Sequence, residues 1–282
     1  MKKYLSLIKF SHTIFALPFA FIGFFLSAPQ KTIDWTIFIY VVLCMIFARS
    51  AAMAFNRYID REIDKANERT SKNREIPNGT ISANNALMFV ILNCMFFVST
   101  SYLINKTCFY LSPVALIIIL GYSYTKRITS LCHLFLGLGL SLAPLGAYLA
   151  VNEAFDILPI LFSATVLFWV SGFDIIYSLQ DHEFDKKHKL YSIPVKMGKK
   201  NALNFSKFFH VITVIILIFI GLTFHFGEFY WIGFSIFATL LIYQHRLVSE
   251  DNLKNVNIAF FTTNGFGSLI FGFFVILDLL IN

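Results

Sequence analysis

The run from Ile33 to Phe55, IDWTIFIYVVLCMIFARSAAMAF, closes on Asn56-Arg57-Tyr58-Ile59-Asp60-Arg61-Glu62-Ile63-Asp64. An apolar stretch of this length crosses the roughly 30 Å of bilayer hydrocarbon as a helix of about 20 residues. This one segment already reads as a membrane span that ends in acid. Asn56, Asp60 and Asp64 are spaced by four, so they stack on one helical face. A second copy of the layout, Tyr177-Ser178-Leu179-Gln180-Asp181-His182-Glu183-Phe184-Asp185, closes another apolar run about 120 residues later.

The composition agrees with lipid as the main solvent. Of 282 residues, 57% are hydrophobic and 14% charged, where a soluble chain carries about 25% charged. Lys2, Lys3 and Lys9 precede an apolar stretch with no convincing small-residue cleavage site, so that stretch is expected to stay as a span. The net charge of +7 does not call for nucleic acid, because basic loops in a membrane protein mark topology. Cys44, Cys94, Cys108 and Cys132 show neither CxxC nor metal-type spacing and read as small apolar residues.

Nine segments are expected to span, near 10–28, 33–55, 84–104, 107–125, 131–151, 157–178, 205–226, 229–246 and 256–279. With the N-terminus cytoplasmic, the inner segments are 1–12, 56–83, 126–130, 179–207 and 246–255. They hold 20 of the 23 basic residues, against Lys31 and Lys106 outside and Arg49 within a span. That asymmetry sets the orientation and puts both acidic ladders on the cytoplasmic side, with the C-terminus opposite. Each long inner loop carries a ladder, a basic cluster and a proline, a weak internal repeat. The expectation is an all-α membrane protein. It is one domain over 1–282, a bundle of nine transmembrane helices around a central cavity with cytoplasmic cap loops, in the inner membrane of the cell.

An ionisable residue at membrane depth costs roughly 2.5–3.5 kcal/mol on insertion scales and marks a functional site by default. Arg49 and Asp174 are the two clear cases, each seven residues before a ladder residue, Asn56 and Asp181. The alternative is that they pair and neutralise one another, and such a pair could itself line a cavity. Asp60, Asp64, Asp181 and Asp185 would repel and take up protons unless a cation sat among them. Hard oxygen donors without organised Cys or His suit Mg2+, which is usually shared with phosphate oxygens. Arg69, Arg74, Lys126 and Arg127 follow the acids and could bind phosphate that the metal does not; each taken alone reads first as a topology charge. Lys126-Arg127 is the better candidate because it follows Tyr122 and Tyr124 directly. The combination points to an amphiphilic substrate with its tail in lipid and its head bearing phosphates.

Asn56-x3-Asp60-x3-Asp64 followed by Arg69-Thr70, with Asp174-x2-Tyr177-x3-Asp181-x3-Asp185 in the second half, resembles the UbiA-type intramembrane prenyltransferases over nearly the whole chain. One departure is Arg57, where many members have a further Asp. His12-Thr-Ile-Phe-Ala-Leu-Pro18 and Tyr122-Ser-Tyr-Thr-Lys126-Arg127 look most like the 4-hydroxybenzoate polyprenyltransferase branch and its menaquinone-pathway relatives. The resemblance implies that Mg2+, held by Asn56, Asp60, Asp64, Asp181 and Asp185, binds a polyprenyl diphosphate with help from Arg69, Lys126 and Arg127. The prenyl group would pass to an aromatic acceptor such as 4-hydroxybenzoate in ubiquinone biosynthesis, or to a naphthoate or naphthol in menaquinone biosynthesis. Tyr177 would stabilise the allylic cation or simply pack. Tyr122 would contact substrate, Arg49 would bind the acceptor's carboxylate or phenolate, and Asp174 would orient the acceptor or take a proton. A secondary transporter is the rival of another class, but transporter sites lie near the midplane, whereas these carboxylates cluster at the rim.

Overall fold

A computed structural model describes residues 2–8, 16–27 and 33–282. Asp34, at the outer edge of the opening run, caps α3 (Trp35–Ile59): its Oδ1 accepts from the backbone N–H groups of Thr36 at 2.8 Å and Ile37 at 3.3 Å. A carboxylate there satisfies orphan donors and faces the positive end of the helix dipole. Asp34 is therefore a cap. Before it stand α1 (Lys2–Leu7) and α2 (Leu17–Phe25). After it come the short cap helices α4 (Arg61–Ala66) and α5 (Glu68–Ser71), then the long helices α6 (Ala83–Ile104), α7 (Lys106–Thr125), α8 (Cys132–Asn152) and α9 (Ile157–Ser178). A 3-10 turn and α10 (His182–Lys187) lead to α11 (Ile193–Thr223), α12 (Glu228–Leu247) and α13 (Thr263–Ile281), the last preceded by a π-helical turn, Ile258–Thr262. Among the described residues there is no strand.

Seven of these helices are long and apolar enough to cross a membrane, two fewer than the nine expected. α12 has the length, but Glu228, Gln244, His245 and Arg246 dilute its apolarity. The first expected span falls partly outside the described residues; α2 covers nine residues of it. The chain is an integral membrane protein. Its seventh expected span begins earlier than residue 205: Ser192 Oγ accepts from Val195 N at 3.3 Å, Pro194 sits in the first turn, and the helix breaks at Gly198 (φ +79°) before running on to Thr223. Lys196, Lys199, Lys200 and Asn201 hid this start from a hydropathy reading, although the cap residues mark it.

Lipid tails are as apolar as leucine, so helices in a bilayer associate through close packing and shared polar contacts rather than burial from water. α8 packs against α2, α7 and α9; α9 continues to α11; and α12 packs on α13, which closes back onto α2. Small residues set these distances. A Cβ on Gly23 of α2 would lie 2.0 Å from the Pro144 carbonyl oxygen of α8, and one on Gly137 would lie 2.4 Å from the Leu167 carbonyl oxygen of α9. Trp169 fills the centre of the second half among Phe19, Phe173 and Phe237, and its Nε1 donates to Asn264 Oδ1 at 2.9 Å. The outward faces are apolar: α6 exposes Met88, Ile91, Met95, Phe96 and Leu103, as a lipid-facing surface requires.

Candidate active site

The first ladder bends at Asp60 (φ −87°, ψ +4°), between α3 and α4, but keeps its i→i−4 hydrogen bonds across the bend: Asp60 N donates to Asn56 O at 2.9 Å and Asp64 N to Asp60 O at 2.7 Å. Asn56 Nδ2 donates to Asp60 Oδ2 at 3.1 Å while Asn56 Oδ1 accepts from Arg57 Nη1 at 3.3 Å. Asp60 and Asp64 are almost wholly buried, at 1% and 3% exposure. Buried carboxylates need partners, and both have them. Lys126 Nζ lies 2.7 Å from Asp60 Oδ2, and Arg127 Nη2 donates to Asp60 Oδ1 at 2.8 Å and to Ile59 O at 3.0 Å. Arg74 forms an ion pair with Asp64.

The loop after the first ladder then reaches across to the second. Arg69 clamps Asp181 bidentately, Nε to Oδ1 at 3.0 Å and Nη2 to Oδ2 at 2.6 Å, and Asn67 Nδ2 donates to Asp181 Oδ1 at 3.2 Å. Burial works against the Arg69 charge, but the hydrogen bonds and charge of Asp181 hold the guanidinium above its ordinary pKa. Residues more than 100 apart in sequence thus form one cap, further tied by Tyr191 N donating to Lys126 O at 2.7 Å. Asp185 sits in the fields of Asp181, Lys126 and Arg69, and among the described residues its carboxylate has no ion-pair partner. The four basic residues singled out from the sequence, Arg69, Arg74, Lys126 and Arg127, all stand against ladder acids.

Among the described residues no three His, Cys, Asp or Glu side chains are gathered closely enough to form a metal cluster. The donor chemistry nevertheless fits a hard divalent ion. Asn56, Asp60, Asp64, Asp181 and Asp185 offer only oxygen, and Asp64 Oδ2 meets Arg74 as an ion pair yet accepts no aligned hydrogen bond.

Tyr177 lies on the same cap. Arg69 Nη1 donates to its hydroxyl at 3.4 Å, and the Arg69 guanidinium is 5.8 Å from the ring centroid. The ring centroid also lies 4.2 Å from that of Phe260, on the π-helical turn; such turns recur at functional sites. Asp174 does not pair with Arg49. Its Oδ2 lies 2.7 Å from His133 Nδ1, and His133 Nε2 accepts from Ile193 N at 3.4 Å. His133 was not singled out from the sequence; its one signal was a histidine at the start of an apolar run.

Next to the cap lies a cavity of about 330 Å³ walled by α3, α6, α7 and α8. Its lining is apolar apart from a few groups that include Arg49 and Tyr122. Arg49 Nε is enclosed and has no hydrogen-bond partner. Tyr122 interacts electrostatically with Arg49, Arg57, Asp60 and Asp174, so the cavity's polar end adjoins the first ladder and the Asp174 carboxylate. Cys44 and Cys108 line the apolar part.

A helical bundle with an apolar cavity abutting an acid–base cap defines an intramembrane enzyme for amphiphilic substrates. Residues 16–269 match the UbiA prenyltransferase family. The chain belongs to that family and is a polyprenyltransferase. It is 31% identical over 239 residues to the 4-hydroxybenzoate octaprenyltransferase of Vesicomyosocius okutanii, covering 84% of this chain and 86% of that one. It is 30% identical over 231 residues to the enzyme of the same name from Marinobacter nauticus, covering 81% and 78%. A UbiA homologue from Aeropyrum pernix superposes with a TM-score of 0.86 at 32% identity, covering 95% of this chain and 98% of that one. A UbiA homologue from Archaeoglobus fulgidus bound to GPP and Mg2+ shares the fold, with a TM-score of 0.73 at 23% identity over 99% and 100% of the chains.

Proposed function

We propose that this chain transfers a polyprenyl group from a polyprenyl diphosphate to a ring carbon of a hydroxylated aromatic acid such as 4-hydroxybenzoate, within respiratory quinone biosynthesis. The observation that carries this reading is the apolar cavity whose polar end, Arg49 and Tyr122, adjoins a cap of paired acids and bases. The curated relatives bear the name 4-hydroxybenzoate octaprenyltransferase, which supports the choice of acceptor.

Asn56, Asp60, Asp64, Asp181 and Asp185 would hold Mg2+, which would supply positive charge to the leaving diphosphate. Arg69, Lys126 and Arg127 would donate to phosphate oxygens that the acids do not reach through metal. As the allylic C–O bond breaks, its electron pair leaves with the diphosphate. The ring carbon then bonds the allylic carbon, and a ring proton is lost. The Tyr177 ring would offer its π-electrons to the developing cation once the Arg69 guanidinium over it turns to the diphosphate, and the cavity's apolar wall excludes water that would quench it. Asp174, oriented by His133, receives the proton or orients the acceptor. Arg49 takes the acceptor's carboxylate. In this reading α2 and α12 complete a nine-span bundle, with the cap and the N-terminus cytoplasmic and the C-terminus on the far side of the inner membrane.

Purified protein with Mg2+, a polyprenyl diphosphate and a panel of phenolic and naphtholic acids should release diphosphate and yield a prenylated ring, read by mass spectrometry. Product with a naphthoate alone would move the enzyme to the menaquinone branch. No product with any acceptor would overturn the reading. Arg49→Ala should raise the acceptor KM on the order of 10–100-fold, the worth of one charged hydrogen-bonding group, and change the prenyl diphosphate KM much less. The reverse pattern would assign Arg49 to the diphosphate.

A further inference from the structure

Glycine in a helix interior costs about 1 kcal/mol relative to alanine, so a helical glycine needs a reason. α8 has three. Gly137 has one, the 2.4 Å approach of its missing Cβ to the Leu167 carbonyl of α9. The other two do not. A Cβ on Gly146 would meet nothing within 4 Å, and one on Gly139 would make only ordinary contact, 3.8 Å, with Ile119 of α7. Both line the cavity. They lie seven residues apart, two helical turns on one face of α8, and Ala143 stands between them on the same wall.

Gly139 is the nearer to the polar end, because α8 starts beside the cap, where His133 holds Asp174. Gly146 lies about 10 Å further in, at 1.5 Å per residue. The two glycines therefore keep the slot open at two depths. We propose that Gly139 and Gly146 are specificity determinants that set how long a prenyl tail the cavity accepts; this rests on the prenyl-transfer reading above. A bulky side chain such as leucine at either position grows into the slot and stops longer tails while leaving the cap untouched.

The test is the length profile of Gly139→Leu, Gly146→Leu and wild type with geranyl, farnesyl, geranylgeranyl and octaprenyl diphosphates, together with Mg2+ and the aromatic acceptor. Gly146→Leu should lose roughly tenfold or more in kcat/KM for the longest tails, the scale of a hydrophobic pocket rejecting added bulk, and keep the geranyl rate. Gly139→Leu should impose its cut-off at a shorter tail. Gly146→Ala serves as the folding control, with a melting temperature no lower than wild type. Equal losses at all lengths, an unchanged profile, or one shared cut-off for both leucine variants would overturn the proposal while leaving prenyl transfer standing. A wild-type protein inactive at every length would remove the prenyl-transfer reading and this proposal with it.

Discussion

Asp60→Asn and Asp181→Ala should each lower turnover by about a thousandfold or more, equivalent to roughly 4 kcal/mol of transition-state stabilisation, with the helical circular dichroism unchanged. The choice of substitution follows from burial. The Asp60 carboxylate is enclosed between Lys126 and Arg127, and truncating it to alanine would strand two charges at a cost of about 3–5 kcal/mol. Asparagine keeps the shape and one acceptor oxygen but removes the charge that a metal needs. The Asp181 side chain is 21% exposed and its Arg69 partner 36%, so alanine is tolerated there. The two variants probe opposite halves of the chain, and in a shared metal site both must fail. A wild-type rate from either would take that ladder out of the site.

Gly23→Ala should destabilise the protein by about 2 kcal/mol. Overpacking a tight contact costs about 1–3 kcal/mol. The added Cβ would lie 2.0 Å from a backbone oxygen, that of Pro144, and within 2.8 Å of the Pro144 Cα. Backbone atoms cannot rotate aside, so the upper end of that range applies. The gain of about 1 kcal/mol in helix propensity offsets only part of it. A melting temperature in detergent lowered by roughly 5 °C would match. A variant as stable as wild type would mean that α2 and α8 can separate cheaply. The same replacement at Gly146, which faces open space, provides the contrast: there the propensity gain stands alone.

Much of the site was legible because helical spacing is local. Asn56, Asp60 and Asp64 stay linked by i→i−4 backbone hydrogen bonds as their four-residue spacing predicts, although the chain bends at Asp60. The second ladder was less faithful: the 3-10 turn Leu179–Asp181 interrupts the α-helix between Tyr177 and Asp185, and no spacing rule foretells that. The basic residues were found by position, but their engagement with the acids could not be, because Arg69 reaches Asp181 across 112 residues. The Arg49–Asp174 pairing that the sequence allowed gave way to His133–Asp174, since two intramembrane charges on different helices meet only if packing turns them toward each other.

The sequence by itself determined that the chain lives in a membrane, that two acidic ladders close two of its spans, and which residue types gather at that end. Hydropathy and helical periodicity are properties of consecutive residues, so they survive without tertiary information. Only the tertiary structure decided that the two ladders form one cap, that His133 belongs beside Asp174, and that Gly139 and Gly146 open a slot while Gly23 and Gly137 close a seam. Those are distances between segments far apart in the chain. Helix packing in lipid sets them through small residues whose partners the sequence does not name.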